Sequence, residues 1–134
     1  MSKSCVLISH GQFCQALKAS TEMIMGPQDS LLTVALLPEE SAEDFEAKFL
    51  QATKDLDEIL VFADLLGGTP SNVVSRLVLE GKKIELYAGA NMAMVIEFIN
   101  STLTGQPADF AQSAQAGVVK VNDLLAAMTD EEDE

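Results

Sequence analysis

Residues 59–79, ILVFADLLGGTPSNVVSRLVL, decide the fold. Residues 59–63 form a continuous apolar run, which is typical of a strand buried on both faces of a parallel sheet. After a glycine-rich turn, Thr69-Pro70 predicts the start of a helix, with a hydroxyl N-cap and a proline at the first helical position. Apolar residues then recur at helical spacing, at Val73, Val74, Leu77 and Val78. The stretch predicts a strand, a tight turn and an amphipathic helix that ends at Gly81.

The rest of the chain repeats this alternation, which indicates βαβ units and a parallel sheet. Further strands are predicted at Cys5–Ile8, Leu31–Leu37 and Ile84–Tyr87, with a short last strand at Val118–Val121. Further helices are predicted after Gly11, after the N-caps Ser41 and Asn91, and from Pro107. The predicted fold class is α/β: a doubly wound, mostly parallel sheet of four strands flanked by helices, with a short C-terminal fifth strand.

Two of the predicted helices have apolar stripes that the residue spacing defines. The first helix presents Phe13, Leu17 and Ile24, and the second presents Phe45, Phe49, Ala52 and Leu56. We expect both stripes to pack against the sheet.

One domain accounts for most of the 134 residues, since single cores usually hold about 100–200 residues. Residues 1–121 are predicted to form that domain, and residues 122–134 a C-terminal extension with an acidic tail. The tail, Asp130–Glu134, is expected to be solvated and disordered. A regulatory role for this tail stays open.

The charge balance limits the classes of partner. Lys and Arg number 8 against 21 Asp and Glu, so the net charge of −13 disfavours nucleic acid and anionic membranes and favours a basic protein partner. Cys5 and Cys14 have no metal-ligand spacing, and no signal peptide or membrane span is predicted. We expect a cytoplasmic protein with free, buried thiols. Packing explains Cys14 better than a nucleophilic pair with His10 does, because no local Asn or Asp completes such a pair.

Polar residues follow the first and third predicted strands. An open α/β sheet binds its ligand beyond the carboxyl ends of the strands, where the strand order reverses, and we place that reversal between strands one and three. Ser9-His10-Gly11 follows the first strand and contains the only histidine of the chain. Asp64 and the glycine-rich turn follow the third strand. We therefore expect His10, Asp64 and the start of the third helix to meet at one edge.

This set of residues is suited to carrying a phosphoryl group on histidine. A neutral imidazole is a good nucleophile near neutral pH, and a carboxylate such as Asp64 on one ring nitrogen leaves the other nitrogen free to attack. Gly67 and Gly68 let backbone N–H groups face the phosphoryl group at the positive end of a helix, and Thr69 adds a hydroxyl donor. Gly11 permits the first helix to begin close by. Other residues expected to line the site are Ser9, Asn72 and Asn91.

Several other kinds of site are excluded because their motifs are missing. The sequence has no G-x-x-x-x-G-K-[ST] loop for ATP, no GxGxxG for a dinucleotide and no G-x-S-x-G elbow for a hydrolase. A single histidine without a cysteine cluster argues against zinc, and we expect no metal and no cofactor. A receiver domain phosphorylated on Asp64 would need an acidic pair for magnesium after strand one, where this chain has Ser9 and His10.

Three segments together resemble the mannose-family IIA components (EIIA, type 4) of the bacterial phosphoenolpyruvate-dependent sugar phosphotransferase system (PTS). They are S-H-G at residues 9–11, D-x-x-G-G-T-P-x-N at residues 64–72 and A-G-A-N at residues 88–91. The similarity extends to about Val121. It implies a cytoplasmic phosphocarrier that takes a phosphoryl group from phospho-HPr and passes it to a IIB component, which serves the membrane IIC and IID components in sugar uptake.

The resemblance also implies roles for individual residues. His10 would be the phosphorylated residue, Asp64 the carboxylate that orients its ring, and Thr69 a hydroxyl that helps to hold the phosphoryl group. It further implies a homodimer in which the last strand crosses to the partner's sheet. Ala93 and Leu66 depart from the family, which often has a proline and an aromatic residue at these positions, and the departures concern the surface offered to IIB.

Two other functions stay open. The phosphotransfer subunit of dihydroxyacetone kinase is similar around Ser9-His10, but such subunits usually lack the G-G-[ST]-P segment that residues 67–70 retain. A non-catalytic module would bind an anionic ligand reversibly in the same crevice. The sugar stays undetermined, because a IIA component contacts only proteins.

Overall fold

The structure is a computed structural model that describes the backbone of residues 3–132 and the side chains of residues 3–130. The strands within this range are β1 (Ser4–His10), β2 (Leu31–Leu36), β3 (Ile59–Ala63) and β4 (Ile84–Ala88). The helices are α1 (Phe13–Met25), α2 (Ala42–Thr53), α3 (Thr69–Leu79), α4 (Met92–Thr104), α5 (Phe110–Ala116) and α6 (Val121–Glu132). The predicted alternation of strands and helices is confirmed as far as α4.

The strands form one parallel sheet in the order β2-β1-β3-β4. The order reverses between β1 and β3, as the sequence predicts. The register places Ile8 beside Ala63 and His10 beside Leu36. The carboxyl ends of β1 and β3 therefore lie side by side, which brings together the residues that follow them.

Each face of the sheet has its own apolar core. Cys5 and Leu7 of β1 pack with residues of α1, α4 and α5 on one face, and Val6 and Ile8 pack with residues of α2 and α3 on the other. All of these side chains are buried, which explains why residues 5–8 of β1 are a continuous apolar run. Successive side chains of a strand point to opposite faces. At the end of β1, Ser9 therefore belongs to the face of α1, and the next residue to the face of α3.

Several element ends differ from the sequence prediction. β3 has the predicted bounds, whereas β1 runs on to His10, β2 stops at Leu36 and β4 runs on to Ala88.

Helix α5 begins at Phe110 rather than at the predicted Pro107. The Asp109 side chain accepts a hydrogen bond from the Gln112 N–H and so caps the helix.

The predicted apolar stripes are only partly buried. Leu17 and Phe49 lie in the core, but Phe13 and Ile24 are exposed. The buried stripe of α1 is instead Cys14, Leu17 and Thr21, and Phe13 and Ile24 lie to one side of it. α2 ends at Thr53, so Leu56 lies beyond the helix in which it was predicted.

The predicted fifth strand at Val118–Val121 does not form. Residues 118–120 have no regular structure, and α6 begins at Val121. Within residues 3–132 the sheet contains only β1 to β4, and residues 118–121 pair with none of them. The sequence that follows, Leu-Leu-Ala-Ala-Met at residues 124–128, consists of good helix formers.

The acidic tail also differs from the expectation of disorder. Residues 130–132 continue α6, while Asp133 and Glu134 lie outside the described residues. All described side chains from residue 115 to residue 130 are exposed. They include an apolar group on α6, which comprises Val121, Leu124, Leu125 and Met128.

Removal of residues 122–134 is expected to leave the free energy of unfolding within about 0.5 kcal/mol of the full chain, because exposed side chains contribute little to stability. Urea unfolding of both chains at one protein concentration measures this difference. A control chain lacks only Asp130–Glu134. A loss above about 1.5 kcal/mol in the longer deletion alone would contradict the prediction and would mean that α6 is covered in solution.

Candidate functional site

The carboxyl edge of the sheet presents His10 as the last residue of β1. Gly11 follows with a φ of 57°, a left-handed turn that glycine adopts without strain, and its N–H donates to the Leu36 carbonyl at 2.7 Å. The chain then enters α1 at Phe13. The His10 side chain is 46% exposed, so its ring is accessible to another molecule.

Asp64, directly after β3, holds His10 at two points. Its Oδ2 accepts a hydrogen bond from the His10 backbone N–H at 3.0 Å and lies 2.8 Å from the ring Nδ1. Its Oδ1 accepts from the Leu65 N–H at 2.9 Å. The Asp64 side chain is only 13% exposed. The prediction that the two strand ends bring His10 and Asp64 together is therefore confirmed by the geometry.

The hydrogen bonds to Asp64 also determine its charge and the tautomer of His10. Burial pushes the pKa of the Asp64 carboxyl upward, but the bonds from the His10 backbone N–H, the His10 ring and the Leu65 N–H outweigh this effect and hold the pKa below its ordinary value of 3.8. Near neutral pH the carboxylate is ionised and only accepts hydrogen bonds. In the neutral ring of His10, Nδ1 therefore carries the proton and Nε2 carries the lone pair.

The ring of His10 lies against the backbone of Gly68. A Cβ atom at Gly68 would overlap Cε1 of the ring and lie 3.1 Å from Nε2. Gly68 has a φ of −84°, which any residue can adopt, so the constraint here is space. Gly67 is the reverse case, because its φ of 87° favours glycine while nothing lies within 4 Å of its Cβ position.

Helix α3 begins next to this ring. Gly68 is its N-cap, with no side-chain capping bond, which corrects the predicted N-cap at Thr69. Thr69 is the first helical residue and Pro70 the second, so the first-turn N–H groups come from Thr69 and Ser71. The Asn72 side-chain amide donates to the Gly67 carbonyl at 3.2 Å and braces the turn. The positive end of α3 thus lies beside Nε2 of His10.

Two residues expected to line the site have other contacts. Ser9 is fully buried, and its hydroxyl donates to the Gly11 carbonyl and accepts from the Cys14 N–H. Asn91 caps α4 by accepting from the Met94 N–H, as predicted, and its amide donates to the Ala114 carbonyl of α5. The two-residue period of β1 could have shown that Ser9 points away from the His10 side of the sheet.

Cys14 lies close to the site but is buried, as is Cys5. Burial raises the pKa of the Cys14 thiol and outweighs the hydrogen bonds that lower it. A buried, protonated thiol is a poor nucleophile. The geometry agrees with the interpretation of Cys14 as a packing residue.

Exposed apolar side chains occur on the segments that carry His10 and Asp64. Phe13 is 47% exposed, Leu65 51% and Leu66 80%. Sequence analysis missed this feature, because helical spacing assigned Phe13 to the core and Leu66 was noted only as a departure from the family. A run of two leucines before a glycine turn, outside any strand or helix, was the available signal.

A family model described as "EIIA-man: PTS system fructose IIA component" matches residues 4–115. The chain belongs to this family. The PTS system fructose-specific EIIA component of Bacillus subtilis is 32% identical over 100 residues, which cover 72% of this chain and 68% of that relative. The PTS system mannose-specific EIIAB component of Escherichia coli K12 is 31% identical over 100 residues, which cover 72% of this chain and 31% of that protein. This EIIA chain therefore matches about a third of the EIIAB protein.

Solved structures of EIIA proteins share the fold. The crystal structure of phosphotransferase system component EIIA from Streptococcus agalactiae matches with a TM-score of 0.80 and 29% identity, over 91% of this chain and 99% of that one. Four parallel strands flanked by helices are thus the fold of this EIIA chain, as predicted. Within residues 3–132, no helix has the length and apolar character needed to cross a membrane.

The Gly68→Ala substitution is expected to push the His10 ring off Asp64, because the new methyl group would occupy the position of Cε1. In 15N NMR spectra we expect His10 to lose its single defined tautomer and to show averaged ring shifts. Circular dichroism should show that the fold is retained. Gly67→Asn is the matched control, since Asn tolerates positive φ and the space there is open. An unchanged His10 spectrum in Gly68→Ala would contradict the assigned contact.

Proposed function

We propose that this EIIA chain is a phosphohistidine carrier that accepts a phosphoryl group from phospho-HPr on His10 and passes it to a IIB component. The observation that carries the proposal is the double contact of Asp64 Oδ2 with the backbone N–H and ring Nδ1 of His10. In the neutral ring this contact places the lone pair on Nε2, next to the start of α3. A histidine that served only to stabilise the core would be buried, whereas the His10 side chain is 46% exposed.

In the proposed step, the Nε2 lone pair of His10 attacks the phosphorus atom of the donor phosphohistidine. The new N–P bond forms as the donor's N–P bond breaks, and the donor nitrogen keeps the electron pair of that bond. Nδ1 retains its proton throughout, directed at Asp64. In transfer to IIB, a nucleophilic atom of IIB attacks the phosphorus, the Nε2–P bond breaks, and Nε2 of His10 regains its lone pair, so no metal ion is needed to balance the step.

The charges around His10 support both sides of this exchange. Phosphorylation of Nε2 puts positive charge on the imidazole ring, and the ionised Asp64 carboxylate, 2.8 Å from Nδ1, stabilises that charge. The negative phosphoryl oxygens would face the first turn of α3, where Gly67, Gly68 and Thr69 provide backbone N–H groups and a hydroxyl. The left-handed turn at Gly11, with a φ of 57°, lets α1 begin close to His10.

The wider assignments follow from the same proposal. Residues 1–121 act as the IIA domain and residues 122–134 as an extension, in a cytoplasmic protein that reaches the membrane IIC and IID components only through IIB. In this proposal the chain forms a homodimer, and the sheet has two edge strands, β2 and β4. Net charge of −13 favours encounters with the basic face of a partner. The relatives are named for fructose and for mannose, and the sugar served by this chain is left open.

Intact mass after incubation with phosphoenolpyruvate, Enzyme I and HPr tests the carrier function. We expect one acid-labile phosphoryl group on the wild type and none on His10→Ala, because the nucleophile is removed. A phosphoryl label on His10→Ala would show that a residue other than His10 carries the group. No label on the wild type would contradict the proposal and favour the dihydroxyacetone kinase subunit or a reversible anion-binding module.

The Asp64→Asn substitution is expected to slow phosphoryl transfer by at least about tenfold, because it removes the charge that stabilises the phosphorylated ring. The amide oxygen can still accept the His10 N–H, so the fold should persist. Rapid-quench measurement of transfer from phospho-HPr checks the rate. Asp57→Asn, an exposed acid before β3 at the opposite edge of the sheet, is the matched control for net charge. An equal loss in both variants would contradict the role of Asp64.

The difference in unfolding free energy between the wild type and Asp64→Asn should depend on pH. Because the folded pKa of Asp64 is depressed, its carboxylate stabilises the fold above the unfolded pKa, and this contribution is lost as pH falls through the folded pKa. The unfolding free energies of wild type and Asp64→Asn should therefore converge on acidification below about pH 4. A difference that stays constant with pH would contradict the assigned charge.

A further inference from the structure

Ser9 occupies the last position before His10 and makes contacts that the transfer reaction does not explain. Its side chain is 0% exposed. The hydroxyl donates to the Gly11 carbonyl at 3.0 Å and accepts from the Cys14 N–H at 2.9 Å. One buried hydroxyl thus ties the end of β1 to the turn and to the first turn of α1.

Among the described residues, Ser9 provides the only side-chain cap at the start of α1. Its N-cap position is Gln12, which makes no side-chain capping bond. Ser9 lies three positions before the N-cap residue Gln12 and takes over its capping role. Its hydroxyl accepts a hydrogen bond from the Cys14 N–H in the first helical turn. Without the hydroxyl, the Cys14 N–H and the Gly11 carbonyl would both lose a partner.

These bonds complete the restraint of the backbone around His10. The His10 N–H is held by Asp64 and the Gly11 N–H by the Leu36 carbonyl. Ser9 holds the Gly11 carbonyl, so the groups on each side of the left-handed Gly11 turn are fixed. A change in this turn would rotate the Cα–Cβ bond of His10 and move its ring relative to Asp64 and Gly68.

We infer that Ser9 is a positioning residue, whose buried hydroxyl locks the Gly11 turn and thereby holds the His10 ring in register with Asp64 and the start of α3. This inference rests on the proposed carrier function of His10. It gives Ser9 a role in the geometry of the nucleophile rather than in contact with the phosphoryl group.

The test compares Ser9→Ala with Thr21→Val. Thr21 is a matched control because its hydroxyl is also 0% exposed and bonds a backbone carbonyl of α1, that of Leu17 at 2.8 Å. For Ser9→Ala we expect the maximal rate of transfer from phospho-HPr to fall between about tenfold and a hundredfold. The KM for phospho-HPr should stay unchanged, because the docking surface is intact. For Thr21→Val we expect wild-type transfer, because its hydroxyl bonds within α1 and away from the Gly11 turn.

A spectroscopic measurement separates positioning from stability. In 15N NMR spectra of the unphosphorylated protein, His10 should show one tautomer in the wild type and in Thr21→Val, and averaged ring shifts in Ser9→Ala. Wild-type His10 shifts together with a wild-type rate in Ser9→Ala would overturn the inference. Failure of the wild type itself to accept a phosphoryl group would instead overturn the proposed function, and the tautomer result would stand independently.

Two further measurements apply if Ser9→Ala does not fold. Ser9→Cys keeps the side-chain size but replaces the hydroxyl with a weak hydrogen-bonding group, so the same changes should appear at smaller amplitude. In the wild type, the Cys14 amide should exchange with solvent more slowly than the Phe13 amide, which is a first-turn helical N–H. Equal exchange of both amides would overturn the assigned hydrogen bond and, with it, the inference.

Discussion

One carboxylate oxygen, Oδ2 of Asp64, determines the geometry of the site. It binds the backbone N–H of His10 and the ring Nδ1 of the same residue, so one atom fixes both the chain and the side chain. The carboxylate is in turn held by the Leu65 N–H and by its position after β3. Since β1 and β3 are neighbours in the sheet, the distance between the two residues is set by strand pairing. The tautomer and the free Nε2 follow from this contact.

The rest of the site adapts to the place where Asp64 holds the ring. Gly68 lacks a side chain where the ring needs space, and Gly67 takes the positive φ that turns the chain into α3. The arrangement separates two charges that a phosphohistidine carries: the ring faces a carboxylate, and the phosphoryl group would face a helix N-terminus. A carrier must both accept and release its phosphoryl group. Noncovalent stabilisation of both charges suits that requirement.

The sequence predicted the fold and the central pair because both depend on local patterns. Apolar runs identified the strands, and parallel connectivity then placed His10 and Asp64 at one edge. It did not predict contacts that depend on three-dimensional placement, such as the closeness of Gly68 to Cε1 or the two bonds of Ser9. In the single chain, residues 118–120 have no regular structure and α6 begins at Val121, so the β-branched residues there do not form the predicted strand, and its exchange in a dimer stays a prediction. Thr69-Pro70 marked the start of α3 correctly, but the cap fell on Gly68.

The position of phosphorus on the His10 ring tests the central claim most directly. Long-range 1H–15N and 31P NMR of the phosphorylated wild type distinguishes the two ring nitrogens by their couplings to phosphorus. The contact between Asp64 and Nδ1 predicts phosphorus on Nε2, with Nδ1 still protonated. Phosphorus on Nδ1 would require the ring to leave Asp64 and would contradict this account of how the site works.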